Sequence, residues 1–284
     1  MLNNYGYWSE NMEHTFVISA YKESQYLEEC IESLKNQTVP SEIILSTSTP
    51  SQYLEQLCLK YAIKYCVRDG QPGIAADWNY ALSCADTPYV TIAHQDDIYE
   101  KEYTKYILEA AHEREKDESA PGIIIFTDYS ELVDGVKYIN RTNLRIKRIL
   151  LWPLKRKKCQ SSQFWRRHAL WLGNAISCPT ITYHVPVVEK YMKEEKREEL
   201  FRQHFRSNLD WEVTEWLSKK KGAFVYVPRV LIAHRIHAQS ETTMTIQDNM
   251  RGNEDYEMFV KFWPKWIAKL VTRVYSQSEK SNEI

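Results

Sequence analysis

An α/β fold, with a mostly parallel sheet sandwiched by helices, is predicted by three features of this chain. From Thr15 to Tyr99, β-prone apolar runs alternate with stretches of helical apolar spacing, the rhythm of a sheet covered on both faces. The most informative run, Tyr89-Val90-Thr91-Ile92-Ala93, stops at His94-Gln95-Asp96-Asp97, and the carboxyl end of a strand is where such sheets hold their ligands. Right-handed crossovers then bring the other strand ends to the same edge.

Thr15 to Ala20 reads as the first buried strand, and Ser24 to Lys35 follows with Leu27, Ile31 and Leu34 at helical spacing. Glu42 to Leu45 is a second strand, ending in the polar run Ser46 to Ser51; a helix over Gln52 to Ile63 and a short strand around Tyr65 to Val67 come next. Gly73 opens a helix through Asn79, Leu82 and Ala85, and after the Tyr89 strand a helical stretch begins at Glu100. Gly122 to Thr127 predicts another strand, and Asp134-Gly135 the turn of a hairpin. From Glu254 the chain is helical and amphipathic, with Phe259, Phe262, Trp263, Trp266, Ile267 and Leu270 among lysines. That tail either packs on the domain or shares a membrane-facing surface.

With 284 residues, 43% hydrophobic and 26% charged, the chain suits one large α/β domain and a modest appendage. The expected boundaries are 1–240 for the domain, with 140–172 a basic and aromatic helical insertion, and 241–284 for a helical tail. A formal net charge of −1 gives no global affinity for polyanions, nucleic acid included. The six cysteines, Cys30, Cys58, Cys66, Cys84, Cys159 and Cys178, form no C-x-x-C pair and no zinc-like spacing, so free thiols in a reducing compartment are expected. Glu10 and Glu13 lie in a polar N-terminus without an apolar leader, and no apolar run nears the ~20 residues that span a bilayer. A cytoplasmic protein is expected, at most peripheral on the inner face of the cell membrane.

Mg²⁺ takes one or two carboxylates and leaves its other positions to water and phosphate oxygens, so Asp96 and Asp97 suit a divalent cation held against a phosphorylated substrate. The competing reading is that both cap the following helix. Neither G-x-G-x-x-G nor a Walker loop is present, so dinucleotide and P-loop readings lack their phosphate cradles. Between Arg141 and His168 stand ten basic residues and no acidic one: Arg141, Arg145, Lys147, Arg148, Lys155, Arg156, Lys157, Lys158, Arg166 and Arg167. Trp152, Phe164 and Trp165 are interleaved, with Trp171 just beyond. An anionic membrane surface attracts such a segment at about 1 kcal/mol per basic residue. A solvated basic face on ordinary helices, or a single-stranded nucleic-acid site, would use the same residues; the near-zero net charge ranks nucleic acid below lipid.

Val17-Ile18-Ser19-Ala20-Tyr21-Lys22-Glu23 resembles the opening strand and turn of family 2 glycosyltransferases. Gly73-Ile74-Ala75-Ala76-Asp77-Trp78-Asn79 resembles their donor-side helix start, and His94-Gln95-Asp96-Asp97 falls where they carry the D-x-D motif. Downstream, Leu209-Asp210-Trp211-Glu212 looks like the acidic motif supplying the family's catalytic base, and His234-Arg235-Ile236-His237 resembles the loop that closes over the donor diphosphate. The resemblance implies a GT-A fold, a nucleotide-diphosphate sugar donor carrying UDP or dTDP, Mn²⁺ or Mg²⁺, and usually inversion at the anomeric carbon. It is to the kind found in bacterial surface-polysaccharide synthesis, which implies a lipid-linked saccharide acceptor.

Residue by residue, the resemblance implies donor contacts at Ala20, Tyr21, Glu23, Ser46, Thr47, Gly73, Asp77, Asn79, His94, Gln95, Asp96 and Arg235. It implies a metal at Asp96, with Asp97 the second choice and His237 a third ligand, and Asp210 as the base. Glu212 and Asp128 rival Asp210; on a helix Glu212 points about 200° away from it, so only one of the two faces the site. Trp211 either stacks on a sugar or anchors its helix, and Arg235 pairs with phosphate or with a carboxylate of the fold. His94 replaces the motif's first Asp, and Ser46-Thr47 stands where the family's second strand usually ends in a base-recognising Asp, although hydroxyls can also bond a pyrimidine edge. Three other readings stay open: a transferase acting on protein or small molecules, a catalytically silent scaffold, and a GT-A-like nucleotidyltransferase, the last without its glycine-rich phosphate loop.

Overall fold

Four parallel strands carry the first half of the chain: β1 (His14–Ala20), β2 (Glu42–Thr47), β3 (Lys64–Val67) and β4 (Tyr89–His94). They are joined by α1 (Leu27–Lys35), α2 (Gln52–Tyr61) and α3 (Ile74–Ser83). The computed structural model describes residues 12–237 and 251–280; the polar N-terminus and the start of the expected tail, 241–250, lie outside the described residues. Phe16, Ile18 and Ala20 of β1 pack into one core with α1 and α2, while Val17 meets Ile44, Ala81 and Val90 on the opposite face. Burial on both faces is why β1 is written as an unbroken apolar run. The Ser51 hydroxyl accepts the Leu54 N–H at 3.3 Å to start α2, and Ala62, left-handed at φ 48°, ends it just before the expected Ile63.

The second half departs from a parallel sheet. After β5 (Ile98–Tyr99) and α4 (Tyr103–Glu115), β6 (Gly122–Val133) runs past the expected Thr127 to a hairpin with β7 (Val136–Tyr138). Asp134 at φ 48° and Gly135 at φ 79° form its turn, the two left-handed positions that a tight hairpin needs. β8 (Ile181–His184) and β9 (Ala223–Arg235), which the sequence pattern does not announce, complete the order β3-β2-β1-β4-β8-β6-β9-β5. β8 is antiparallel to both neighbours, and β9 is parallel to β6.

The insertion comprises α5 (Thr142–Leu151), a 3-10 turn at Trp152–Lys155, α6 (Lys157–Gln160) and α7 (Gln163–His168). Next come α8 (Val185–Glu194) and α9 (Leu209–Ser218) before β9, then α10 (Arg251–Val260) and α11 (Lys265–Lys280). Insertion and tail are part of one core: Leu150, Leu151, Leu154, Ala169 and Leu170 are buried together with Trp211 and Val213 of α9 and with Met258, Phe259 and Ala268 of the last two helices.

The insertion's basic surface is smaller than its sequence suggests. Arg141, Arg148, Lys157 and Arg167 are ion-paired with Glu131, Asp128, Glu113 and Glu215, and the buried Arg166 donates to the Lys220 carbonyl. Lys147 turns inward to the Tyr129 hydroxyl. Arg145, Lys155, Arg156 and Lys158 remain exposed, Arg156 over the Trp152 ring. Trp171 packs on Trp263 rather than facing solvent, whereas Ile149 and Trp152 are 69% and 55% exposed. Among the described residues no helix is long and apolar enough to cross a membrane.

Candidate active site

The ends of β1, β2 and β4 form one edge, in register at Ala20 with Thr47 and Ser19 with His94. The Gln95 amide ties β1 to β4 there, accepting from the Tyr21 N–H at 3.3 Å and donating to its carbonyl at 3.1 Å. Lys22, left-handed at φ 57°, donates its N–H to Thr49, whose own N–H goes to the Thr47 hydroxyl. Ser46 and Thr47 are buried, whereas Tyr21 and Glu23 are exposed. Asp77 organises the neighbouring corner by accepting from Ser48 at 3.0 Å, Arg68 at 2.7 Å and the Gly73 N–H at 3.2 Å. It thereby caps the start of its own helix, where a carboxylate is favoured.

Two residues expected at the donor have other work. Both halves of the Asn79 amide bond the Phe201 peptide, at 2.7 and 2.9 Å, fastening the loop before α9 to α3. Arg235 donates to the Asp96 carbonyl at 2.9 Å, pairs with Glu29 and lies over Tyr26 at 4.2 Å. Its guanidinium braces the Asp96-Asp97 turn instead of standing open to a phosphate.

Asp97 has no exposed surface. It accepts from His234 Nδ1 at 2.9 Å and from the Arg235 N–H at 2.9 Å, with His94 Nδ1 at 3.8 Å. Burial works to raise its pKa, but the two imidazoles and the peptide N–H hold it below the ordinary value. Burial likewise disfavours a charged His234, yet the adjoining Asp97 outweighs this and pushes its pKa up to about 9. Near neutral pH the two are an imidazolium and a carboxylate. His94 stacks on Trp78 at 5.6 Å, and its Nε2 is buried with no hydrogen-bond partner.

On the open side of this pair, Asp96 Oδ2 lies 2.9 Å from His237 Nε2, both side chains partly exposed. The structure therefore brings together the two residues expected to share a metal. The ligand atoms of His94, Asp97 and His234 also lie within 4.8 Å of one another. Imidazole nitrogens with carboxylate oxygens suit Mn²⁺ better than the all-oxygen preference of Mg²⁺, so the donor set fits a divalent cation. Asp97 is already matched by N–H donors, whereas Asp96 and His237 meet on the partly exposed side.

Asp210, in the first turn of α9, accepts from Asn174 Nδ2 at 2.8 Å and from the Trp211 N–H at 2.8 Å. Its charge and that of Asp97 both bear on the buried Cys178 thiol, which burial first and these two carboxylates next push to high pKa. The rivals of Asp210 are committed elsewhere. Glu212 is buried on Arg197 with Arg202 and Lys261 nearby, and Asp128 sits in the β6 bulge paired with Arg148 at 2.6 Å. Trp211 is fully buried against Phe259, so it anchors the helix.

A sequence model described as glycosyl transferase family 2 matches residues 15–171. The chain belongs to glycosyl transferase family 2. No curated protein sequence matches it. Among solved structures, Staphylococcus aureus TarS 1–349 has a TM-score of 0.58 at 13% identity, covering 92% of this chain and 69% of TarS 1–349. The same protein in complex with UDP-GlcNAc gives 0.57 at 14%, over 92% and 70%. The mannosyltransferase PcManGT of Pyrobaculum calidifontis, in complex with GDP-Man and Mn²⁺, gives 0.61 at 12%, over 92% and 69%. At these identities the likeness is one of fold, and the fold is GT-A. In this family 2 glycosyltransferase Asp210, His234 and His237 lie beyond the matched span, and the fold brings His234 to Asp97 and His237 to Asp96.

The sequence pattern quotes His234 without a role, places Lys147 only in the basic insertion, and does not single out Asn174. Gly173 is the one signal for Asn174: at φ 124° it is left-handed, and a Cβ there would lie 2.6 Å from the Tyr275 ring.

Asn174→Ala should leave Asp210 without its orienting donor and lower turnover about 10-fold or more, with the melting temperature and donor KM nearly unchanged. Steady-state kinetics alongside thermal unfolding checks this. The raised pKa of His234 gives a pH dependence of known sign. Its contribution to stability is complete below its ordinary 6.5 and is lost as pH rises through about 9. Denaturant unfolding in EDTA should show that alkaline decline in wild-type protein, and His234→Gln should flatten it.

Proposed function

We propose that this chain moves a sugar from a UDP- or dTDP-linked donor to a saccharide hydroxyl on a lipid-linked polysaccharide intermediate, with inversion. The observation that carries the reading is the Asp96–His237 pair, 2.9 Å apart at the strand-end edge where the β4 motif stops; Asp210, held by Asn174 in the first turn of α9, is the base this reading assigns. That relatives in fold are described with UDP-GlcNAc and GDP-Man supports a nucleotide-sugar donor. Ala20, Tyr21, Glu23, Ser46, Thr47, Gly73, His94 and Gln95 border the donor edge; Asp77 shapes it through Ser48 and Arg68.

Asp96 and His237 would hold Mn²⁺ or Mg²⁺, which when bound neutralises charge on the donor's phosphates without a proton. The chain's own residues do the rest. Asp210 takes the acceptor's hydroxyl proton as that oxygen attacks the anomeric carbon, and the bond from that carbon to the diphosphate breaks. A carboxylate is an acceptor with about four lone-pair sites, the chemistry that this proton transfer needs. Asn174 fixes the direction of the carboxylate; its own carbonyl accepts from the Ile176 N–H at 3.2 Å.

The membrane side of the reading rests on two exposed faces. Ile146, Ile149 and Trp152 stand beside Arg145, Lys155, Arg156 and Lys158 on the insertion. On α11, Trp266, Leu270 and Val274 form an exposed stripe next to Lys265, Lys269 and Arg273. Apolar residues beside cations suit an anionic bilayer surface.

Asp96→Asn should remove the Mn²⁺ dependence of UDP or dTDP binding, whereas Asp210→Asn should keep donor affinity within a few-fold and lose about 10²–10⁴ in rate. Isothermal titration with and without Mn²⁺, paired with a turnover assay, decides; metal-dependent affinity that survives in Asp96→Asn refutes the metal assignment. Binding to anionic liposomes should weaken with salt and with Arg145, Lys155, Arg156 and Lys158 changed together to Gln. Flotation that is equal on neutral and anionic vesicles would remove the membrane from the proposal.

A further inference from the structure

Cations that the insertion turns inward are mostly neutralised by the protein's own carboxylates: Arg141 by Glu131, Arg148 by Asp128, Arg167 by Glu215. Lys147 is different. Half-buried on α5, its ammonium donates to a neutral group, the Tyr129 hydroxyl at 2.9 Å, and lies 5.3 Å from the centre of that ring. No ion pair to it is found among the described residues. An ammonium has three donors, and the phenol takes one.

Its position is as unusual as its bonding. The Tyr129 ring meets the edge of His234 at 6.1 Å and 77°, and His234 holds Asp97. In the other direction the charge of Lys147 is felt by Asp210 on α9. Burial opposes the ammonium, but Tyr129, Asp210 and Glu131 keep it charged. A partly buried ammonium with no ion pair in contact among the described residues is costly unless a mobile anion completes it.

We propose that Lys147 binds a non-bridging oxygen of the donor's diphosphate and stabilises it as it leaves. This rests on the nucleotide-sugar reading above. When the anomeric carbon–oxygen bond breaks, its electron pair stays on the diphosphate oxygen, while the acceptor's proton goes to Asp210. Charge on the diphosphate grows along that path, so a charge-assisted N–H···O⁻ bond strengthens toward the transition state. The basic insertion thereby acquires a role inside the site, through one residue whose neighbours are engaged elsewhere.

The test is titration of UDP, dTDP and inorganic pyrophosphate into the full chain in EDTA, using wild type, Lys147→Gln, Lys147→Arg and Tyr129→Phe, with thermal unfolding of each. Lys147→Gln should weaken UDP or dTDP, and pyrophosphate, about 10- to 100-fold. Lys147→Arg should recover most of this, and Tyr129→Phe should lose only a few-fold. A variant-free measurement accompanies these: pyrophosphate should protect Lys147 of the wild-type protein from acylation by an amine-reactive ester, mapped by mass spectrometry. Wild-type protein that binds none of the three probes, in EDTA or with Mn²⁺ restored, overturns the donor reading, and this proposal with it. Binding that is unchanged in Lys147→Gln, or absence of protection, overturns the role of Lys147 alone.

Discussion

A carboxylate with no exposed surface has to be met by positive charge and N–H donors, and the partners that meet Asp97 come from the far end of the chain. His234 and the Arg235 peptide, at the end of β9, bond it directly, while the Arg235 guanidinium reaches back to the Asp96 carbonyl. The β4 turn and the end of β9 are thus fastened in both directions. β4 itself is not a neighbour of β9, since β8 and β6 lie between them, but β5, which follows the turn at once, pairs with β9 at Ile98 and Ala233. The Asp97 contacts extend that pairing past the strand end, and their consequence is that Asp96 and His237 share an edge. The strands bring the two turns near each other; the buried carboxylate sets how they meet.

A similar demand separates the two carboxylates of α9. Glu212 faces inward to Arg197, and desolvation leaves such a pair little net gain, while breaking it strands a buried charge. That commitment removes Glu212 from proton transfer. Asp210, two residues earlier on the helix, turns instead toward Asn174. Which carboxylate faces the site depends on the rotation of α9 about its axis, and Trp211 fixes that rotation. Its ring packs against Phe259 and Tyr275 of the last two helices and its Nε1 donates to the Leu170 carbonyl. Tail and insertion thus meet on the residue that orients the proposed base.

The first half of the fold was legible because its information is local. Runs such as Val17-Ile18 are buried on both faces, Ser51 caps α2, and Asp134-Gly135 makes its turn unaided. β8 was not legible: four residues long, it owes its place to antiparallel pairing with strands distant in sequence. The insertion was misjudged for a related reason. Counting cations between Arg141 and His168 finds no compensating acid, but the compensating acids Asp128 and Glu131 sit just upstream on β6, and Glu113 and Glu215 lie farther away. His234 stood in a quoted motif, yet its role depends on Asp97 being buried, which no spacing reveals.

Charge balance also separates Asp96 from Asp97, which adjacency in sequence cannot. In the proposed reading, a diphosphate enters a site that already holds the negative charges of Asp96, the buried Asp97 and Asp210. The imidazolium of His234 answers Asp97, and the ammonium of Lys147 lies toward Asp210. Arg235 is balanced by Glu29 and offers Asp96 only a bond to its carbonyl. Asp96 is left facing His237, an imidazole on the open side of the site. The carboxylate still lacking a fixed cation is the one best able to draw a divalent ion, and that ion would reverse the local charge where the phosphates approach. In the proposed reading, the buried member of the Asp-Asp pair holds the site together so that the exposed member can bind.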